Sequence, residues 1–233
     1  PDMLKIYPTL VIKGTKLYDM WKNGEYSPLD TESAADIIAR AKKKLPVFVR
    51  VMRVQRDIPK EKIDCGVLNS NLREFVGRRA NELGIKCRCI RCREAGLKGL
   101  KGESKEGKKE IVVMKYDASG GVEYFISVEA KKNDIIYGYV RLRIPSEPFR
   151  EEFKGNAAVV RELKVVGTST ALGDDKTDSF QHKGFGAKLM AKAEEIAKKE
   201  GAKKILVIAA VGTKEYYRKM GYKDVGAYVW KGL

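Results

Sequence analysis

The stretch Gln181-His182-Lys183-Gly184-Phe185-Gly186 decides the fold of the C-terminal half of this 233-residue chain. It opens a run with apolar residues at helical spacing, and Gly201 follows at the place of a C-terminal helix glycine. The sequence therefore predicts a helix over residues 183–200. Glycines at a helix start let backbone N–H groups approach an anion, and Lys183 adds positive charge there. A pyrophosphate fits such a cradle.

Strand and helix patterns alternate around this helix from Glu110 onward. β-Branched and apolar runs between turn residues predict strands, and one amphipathic stretch predicts a further short helix. The predicted strands are 111–116, 122–130, 135–144, 157–166, 205–211 and 228–230, and the short helix is 214–220. This alternation indicates an α/β fold. The glycines match neither the G-x-G-x-x-G nor the G-K-[ST] pattern of other nucleotide-binding folds.

The chain from Glu110 resembles the GNAT family of N-acetyltransferases, whose fourth strand, Q/R-x-x-G-x-G/A loop and following helix hold acetyl-CoA. By this resemblance the segment 161–166 is the strand that pairs with the pantetheine arm. The resemblance implies that acetyl-CoA is bound by Arg161, Glu162, Leu163, Lys164, Val166, Gln181, Lys183, Gly184, Phe185, Gly186 and Tyr216.

Tyr216 and Tyr217 are the candidate catalytic residues. Residues 212–222 resemble the late helix of the GNAT family and its Y-x-x-x-G-F/Y ending, and Tyr217 stands four residues before Gly221. A tyrosine at that position commonly lies near the thioester sulfur, where a phenol can protonate the leaving thiolate or stabilise its charge. Tyr216, its neighbour, is the second candidate. Packing in an α/β core is the alternative role for both.

The four cysteines predict a metal site. Cys87, Cys89 and Cys92 form a C-x-C-x2-C pattern, and Cys65 lies 22 residues upstream. Four thiolates can close a tetrahedral structural zinc site, in which Cys65 is assigned only by count. The alternatives are small buried core residues or an iron–sulfur cluster. Disulfides are disfavoured because nothing in the sequence indicates export.

The charge of the chain favours a polyanionic partner. The formal net charge is +16, and residues 40–98 hold 17 Lys and Arg against 6 Asp and Glu. Such a surface binds polyanions through counterion release, and arginine suits phosphate oxygens. RNA or DNA is favoured over a membrane, because neither a basic amphipathic helix nor a long apolar stretch accompanies the charge. A generally lysine-rich solvated surface is the alternative.

Residues 1–57 contain a single predicted strand–helix–strand unit, with strands at 10–12 and 47–51 and a helix at 33–41. A βαβ-like unit of this size is too small to bury a core alone. We expect it to pack on the rest of the chain or to be the end of a larger α/β domain. The chain starts with Pro1 rather than methionine, which favours a piece of a longer protein.

A second resemblance covers nearly the whole chain. The segments 5–10, 51–59, 71–74, 87–94, 181–186 and 216–219 are similar to the Elongator catalytic subunit family of tRNA uridine acetyltransferases, archaeal or bacterial type. That family joins a radical S-adenosylmethionine (SAM) domain to a GNAT domain. The resemblance implies a remnant of the radical SAM barrel at 1–57, a cysteine-rich basic zinc-binding linker at 58–109 and the GNAT domain at 110–233.

The resemblance also implies a reaction, the formation of 5-carboxymethyluridine at the wobble uridine, U34, of tRNA. The three-cysteine motif of the radical domain is not found here, so SAM and a 4Fe–4S cluster are expected only in the full-length protein. We expect this chain to bind acetyl-CoA and the tRNA anticodon stem-loop, in the cytoplasm, without completing the modification. The sequence does not decide between monomer and dimer.

Two other functions are compatible with the sequence. One is a protein lysine acetyltransferase, which the basic surface disfavours because like charges would repel basic histone-type tails. The other is a zinc-stabilised RNA-binding module whose GNAT fold only senses acetyl-CoA.

Overall fold

The structure is a computed structural model in which the chain forms two compact units, Pro1–Arg93 and Glu94–Leu233. It describes residues 1–55, 57–100, 107–166 and 184–233, with the side chain of Leu100 left out. Within these ranges, no helix is long and apolar enough to cross a membrane. The domain boundaries at 57/58 and 109/110 remain predictions, whereas the packing divides the chain after Arg93.

The first unit combines short strands and helices. Its elements are β1 (Met3–Lys5), β2 (Leu10–Val11), α1 (Lys16–Lys22), α2 (Thr31–Lys43), β3 (Arg50–Arg53), β4 (Cys65–Gly66), α3 (Leu72–Glu82) and α4 (Ile90–Arg93). β3 pairs in parallel with β1, and β2 pairs antiparallel with β4. The predicted strand at 10–12 is confirmed as β2. The predicted strand–helix–strand unit is wrong in its pairing, because β1 rather than β2 is the partner of β3.

One hydrophobic core joins residues 1–57 of the first unit to α3 and the cysteine segment. The Asp30 carboxylate accepts a hydrogen bond from the Ser33 amide at 2.7 Å, which fixes the start of α2. The buried face of α2, with Ile38, packs in the same cluster as Leu72 and Val76 of α3. Cys89 lies in this cluster too, so the cysteine segment and residues 1–57 share one core.

The second unit is a seven-stranded sheet with helices. Its elements are α5 (Ala95–Leu100), β5 (Glu110–Ala118), β6 (Gly121–Ala130), β7 (Ile135–Ile144), β8 (Ala157–Val165), α6 (Phe185–Lys199), β9 (Lys204–Val207), α7 (Lys214–Arg218), β10 (Lys223–Val225) and β11 (Tyr228–Gly232). The strand order is β10-β11-β9-β8-β7-β6-β5. Only β8 and β9 pair in parallel among the described strands of this sheet.

The helix α6 covers one face of the sheet. Leu189, Ala193 and Ala197 are fully buried and pack in one cluster with side chains of β6, β7, β8 and β9. Gly201 ends the helix with a φ of +79°, a left-handed conformation that favours glycine. The predicted α/β fold is confirmed, as is the helix that starts at the glycine motif.

Candidate functional site

The sheet opens between β8 and β9. The two strands pair from Ala157↔Lys204 to Val160↔Val207, and the Ile208 amide donates one further hydrogen bond to the Val160 carbonyl at 3.0 Å. β9 ends at Val207, so the predicted strand 205–211 was too long. Beyond Val160, no described strand lies beside β8 on that side, and we call this stretch, which has no strand partner among the described residues, the free edge of β8.

A β-bulge lies at this opening. Arg141 pairs with Glu162 and Leu142 pairs with Val160, so Arg161 is the extra residue on β8. A bulge bends its strand and increases the local twist, which turns the following residues away from β9. Glu162, the next residue, accepts hydrogen bonds from Arg141 Nε at 3.0 Å and from the Tyr139 hydroxyl at 2.8 Å.

A buried carboxylate holds the bulged residue. Glu123 of β6 is 2% exposed, and its carboxylate accepts from Arg161 Nη2 at 2.8 Å and from Arg143 Nη1 at 2.9 Å. Two guanidinium groups thus share one buried carboxylate, and this fixes the side chain of Arg161. Sequence reasoning missed Glu123, because nothing in the local pattern of β6 marks one buried glutamate as a partner of two distant arginines.

The backbone of β8 presents alternate residues to the free edge. The Val166 amide donates a hydrogen bond to the Tyr137 carbonyl at 2.9 Å, so the Val166 amide points towards β7. Because backbone groups alternate along a strand, those of Leu163 and Val165 point to the opposite, free edge. Sequence reasoning named Leu163 and missed Val165, which the period of two along the strand could have found.

The start of α6 lies next to this edge. Gly184 precedes the helix with a φ of +68°, and Gly186 is buried in its first turn. A Cβ atom on Gly186 would overlap the Tyr216 hydroxyl and would lie 3.9 Å from Cγ2 of Val165. β8, α6 and α7 therefore converge at Gly186, where a Cβ atom would require the Tyr216 side chain to move.

The remaining residues of the predicted motif have different positions. The Phe185 side chain is buried in the core with its ring centroid 5.9 Å from that of Tyr137, so only its backbone is available to a ligand. Lys164 lies in β8 opposite Tyr139. Gln181 and Lys183 lie outside the described residues.

The two candidate tyrosines differ in exposure. Tyr217 is 6% exposed and packs edge-on against Tyr216 at 5.3 Å and against Tyr222 at 5.9 Å, whereas Tyr216 is 43% exposed. Burial raises the pKa of Tyr217 to about 12 and also raises the pKa of Tyr216, so both phenols keep their protons at neutral pH. The Tyr222 hydroxyl donates to Glu194 at 2.8 Å. Among the described residues, neither the Tyr216 nor the Tyr217 hydroxyl has a hydrogen-bond partner.

Three of the four cysteines come together. The sulfur atoms of Cys87, Cys89 and Cys92 all lie within 4.8 Å of one another. Tetrahedral zinc–thiolate bonds of about 2.3 Å place sulfur atoms roughly 3.8 Å apart, so the cluster has the size of a zinc site. Cys65 is not part of it, because it lies in β4 opposite Val11. In the part of the chain that the structure describes, no fourth Cys, His, Asp or Glu joins the three.

The thiols of the cluster interact strongly. Hydrogen bonds from Cys87 and Cys92 lower the pKa of Cys89 to about 2, while the hydrogen bond to Cys89 raises the pKa of Cys87. Cys89 is therefore the first of the three to become a thiolate, the form that binds a metal ion. The backbone holds it there, since Cys92 donates its amide to the Cys89 carbonyl at 3.0 Å.

Comparison with known proteins bears on both units. Residues 177–231 match the acetyltransferase (GNAT) domain model, and residues 1–82 match the Radical_SAM C-terminal domain model. The tRNA uridine(34) acetyltransferase of Methanocaldococcus jannaschii is 51% identical over the whole chain, and Elongator complex protein 3 of Homo sapiens is 45% identical. The solved structure of Methanocaldococcus infernus Elp3 with an N-terminal deletion matches all of this chain with a TM-score of 0.92 and 49% identity.

The fold, the glycine-led helix and the domain match define the second unit as a GNAT-type acetyltransferase domain. Over its whole length, the chain is homologous to the tRNA uridine(34) acetyltransferase and Elongator complex protein 3 family. It spans 44% of the length of the Methanocaldococcus jannaschii relative, 43% of the human one and 56% of the solved archaeal chain.

Proposed function

We propose that this chain binds acetyl-CoA and cleaves its thioester as part of a tRNA uridine(34) acetyltransferase. The observation that supports the proposal best is the convergence of Val165, Gly186 and Tyr216 beside the free edge of β8. An extended amide-containing ligand can pair with the backbone of Leu163 and Val165, as an added strand would. The start of α6 can then receive its pyrophosphate, and Gln181 and Lys183 are assigned as further ligands of the cofactor.

The two tyrosines take different roles in this proposal. Hydrolysis of the thioester by water breaks the C–S bond, forms a C–O bond that releases acetate, and leaves a thiolate, which a protonated phenol can stabilise by hydrogen bonding. Tyr217 is assigned this role, because its raised pKa keeps it protonated and its hydroxyl has no partner among the described residues. Tyr216, whose hydroxyl lies over Gly186, is assigned contact with the cofactor beside the helix start. Arg161, Glu162 and Lys164 shape the strand through their side chains and sheet pairing.

The Tyr217→Phe variant is expected to cleave acetyl-CoA about a hundredfold more slowly than the wild type, because the thiolate loses its hydrogen-bond donor. Acetyl-CoA affinity should change by less than about threefold, since a phenyl ring preserves the packing. CoA thiol release under single-turnover conditions measures the first quantity, and isothermal titration measures the second.

Tyr222→Phe is the matched control for this prediction. Its ring lies next to Tyr217, but its hydroxyl is engaged by Glu194, so its rate of thioester cleavage should stay near that of the wild type. A normal rate for Tyr217→Phe would remove Tyr217 from the chemistry, and a normal rate for Tyr216→Phe as well would leave both tyrosines with packing roles.

We propose zinc as the metal of the cysteine cluster, held by Cys87, Cys89 and Cys92. The size of the cluster and the low pKa of Cys89 support this choice. When bound, zinc would fix the loop before α4 in the core of the first unit. The Radical_SAM C-terminal domain match implies SAM and an iron–sulfur cluster in the longer relatives, and we assign those groups to sequence beyond these 233 residues.

The substrate assigned to this chain is tRNA, bound through the basic first unit, and the assigned location is the cytoplasm. The names of the relatives and the local excess of Lys and Arg support the substrate. Binding of a tRNA with uridine at position 34 should weaken steeply as salt rises, because each neutralised phosphate releases counterions. Filter binding at salt concentrations from about 50 mM to about 200 mM, a range over which the change in affinity is large, measures this salt dependence. Affinity that does not change with salt would contradict this assignment.

A further inference from the structure

A small basic pocket lies on the first unit, away from the residues assigned to acetyl-CoA. It has a volume of about 350 Å³ and lies between the end of β3, the start of α3 and the helix α4. Its polar lining consists of Arg53, Gln55, Asp57, Ser70, Arg73 and Arg91. Nothing in the proposed acetyl-CoA or zinc chemistry uses these side chains.

The guanidinium group of Arg73 is held by backbone. Its Nη2 donates to the Met52 carbonyl at 3.1 Å and to the Val51 carbonyl at 3.4 Å, both on β3. No carboxylate pairs with Arg73 in the described part of the chain. Burial lowers the pKa of Arg73, and the nearby charge of Arg91 lowers it further.

Asp57, the one acidic residue named in the pocket lining, does not neutralise Arg73 and Arg91. Asp57 forms an ion pair with Arg53, so its charge is already matched. Arg91 makes neither a hydrogen bond nor an ion pair with any of the described residues. Gln55 accepts a hydrogen bond from the Leu72 amide at 3.1 Å, which fixes its carboxamide at the start of α3. Two guanidinium groups, from Arg73 and Arg91, therefore remain to meet an anion.

We infer that this pocket binds a backbone phosphate of an RNA strand between Arg73 and Arg91. Arginine forks donate two parallel hydrogen bonds to phosphate oxygens, and the Ser70 hydroxyl supplies a third donor group beside the two arginines. The lining residues that the structure describes include no aromatic ring on which a base or nucleoside could stack. A polymer backbone suits such a pocket better than a free nucleotide, since its other phosphates can meet the surrounding basic residues. The inference rests on the proposed tRNA-binding function.

A competing role for the same arginines is charge balance. Thiolates at Cys89 and Cys92 favour the charged form of Arg73, so the arginines lie within electrostatic reach of the cysteine cluster. If their task is to compensate thiolates, removing one should disturb the metal rather than RNA binding. The two roles therefore predict different results for one variant.

The Arg91→Ala variant tests the inference in the full 233-residue chain. We expect tRNA affinity to fall about tenfold, as for loss of a charged hydrogen bond, and the slope of log affinity against log salt to fall by about 1. Arg91→Lys should recover most of the affinity because it keeps the charge. Lys154→Ala removes one positive charge from an exposed lysine of the second unit that is already paired with Glu151, and its tRNA affinity should match that of the wild type.

Two further measurements, of phosphate binding and of zinc content, separate the possible outcomes. Inorganic phosphate, followed by its ³¹P resonance, should bind the wild type and not Arg91→Ala, and both proteins should contain the same amount of zinc. Unchanged tRNA binding by Arg91→Ala overturns the inference and leaves the proposed function standing. Weaker tRNA binding together with loss of zinc also overturns it, in favour of charge balance. If the wild type binds phosphate but not tRNA, the proposed function fails, and RNA as the source of the phosphate fails with it.

Discussion

The Glu123→Ala variant is expected to lose about 3–5 kcal/mol of unfolding free energy from the second unit, the range for removing one partner of a buried ion pair. Glu123 is 2% exposed, and it bonds both Arg143 and Arg161, whose side chains are 20% and 27% exposed. Its removal leaves two guanidinium groups without their carboxylate. The bulge at Arg161 should loosen as well, and acetyl-CoA binding with it.

The tryptophans of the chain allow this measurement to be confined to one unit. The sequence has two, Trp21 in the first unit and Trp230 in the second. In a Trp21→Phe background, urea unfolding followed by the fluorescence of Trp230 reports the second unit alone. Glu151→Ala is the matched control, because it removes an equal charge from an exposed pair with Lys154 and should change the free energy by less than about 0.5 kcal/mol. Equal stability of the two variants would contradict the assignment of Glu123.

The Cys89→Ser variant is expected to lose its metal. A wild-type chain purified with zinc present should contain about one zinc ion, and Cys89→Ser should contain close to none, because the buried central thiolate is gone. The first unit should then unfold at lower urea, as followed by Trp21 fluorescence in a Trp230→Phe background. Elemental analysis of the purified chain measures the metal directly.

Cys65→Ser separates the two versions of the zinc site. The sequence predicts four cysteine ligands, whereas the structure brings three sulfurs together and places Cys65 in β4. Full zinc content in Cys65→Ser would agree with the three-cysteine cluster. Loss of zinc in Cys65→Ser would support the predicted site with four cysteine ligands. Full zinc content in Cys89→Ser would contradict the proposal that the cluster binds zinc.

Local patterns predicted the second unit well. The strand 135–144 has its predicted bounds, and the helix of the glycine motif lies within the predicted 183–200. Their periodicity is long and uninterrupted, so the local signal is strong. The prediction of a strand over 205–211 was wrong in its C-terminal end. Its apolar run continues past Val207, but Ile208 is 52% exposed and Val211 88% exposed, because the chain leaves the sheet where β8 and β9 separate.

The first unit was harder to predict, because its strands have two to four residues and pair with distant partners. The three residues of β1 give no periodic signal, and only the tertiary structure selects β1 as the partner of β3. The helix α3 was not predicted although Leu72, Val76 and Ala80 recur every four residues, because charged residues between them leave only a narrow apolar stripe. Counting cysteines could not place Cys65, because spacing along the chain does not fix distance in space.

The single parallel seam of the sheet has a consequence for folding. β5 to β8 form a meander of neighbouring hairpins whose contacts are local, whereas β8 and β9 are joined only through residues 166–203 of the sequence. Closing such a long connection costs entropy before its contacts form, so the seam is expected to assemble after the meander. A ligand that pairs with β8 at this place would bridge the late-forming seam. Cofactor binding and completion of the fold would then be thermodynamically linked, and a saturating cofactor would hold the two halves of the sheet together.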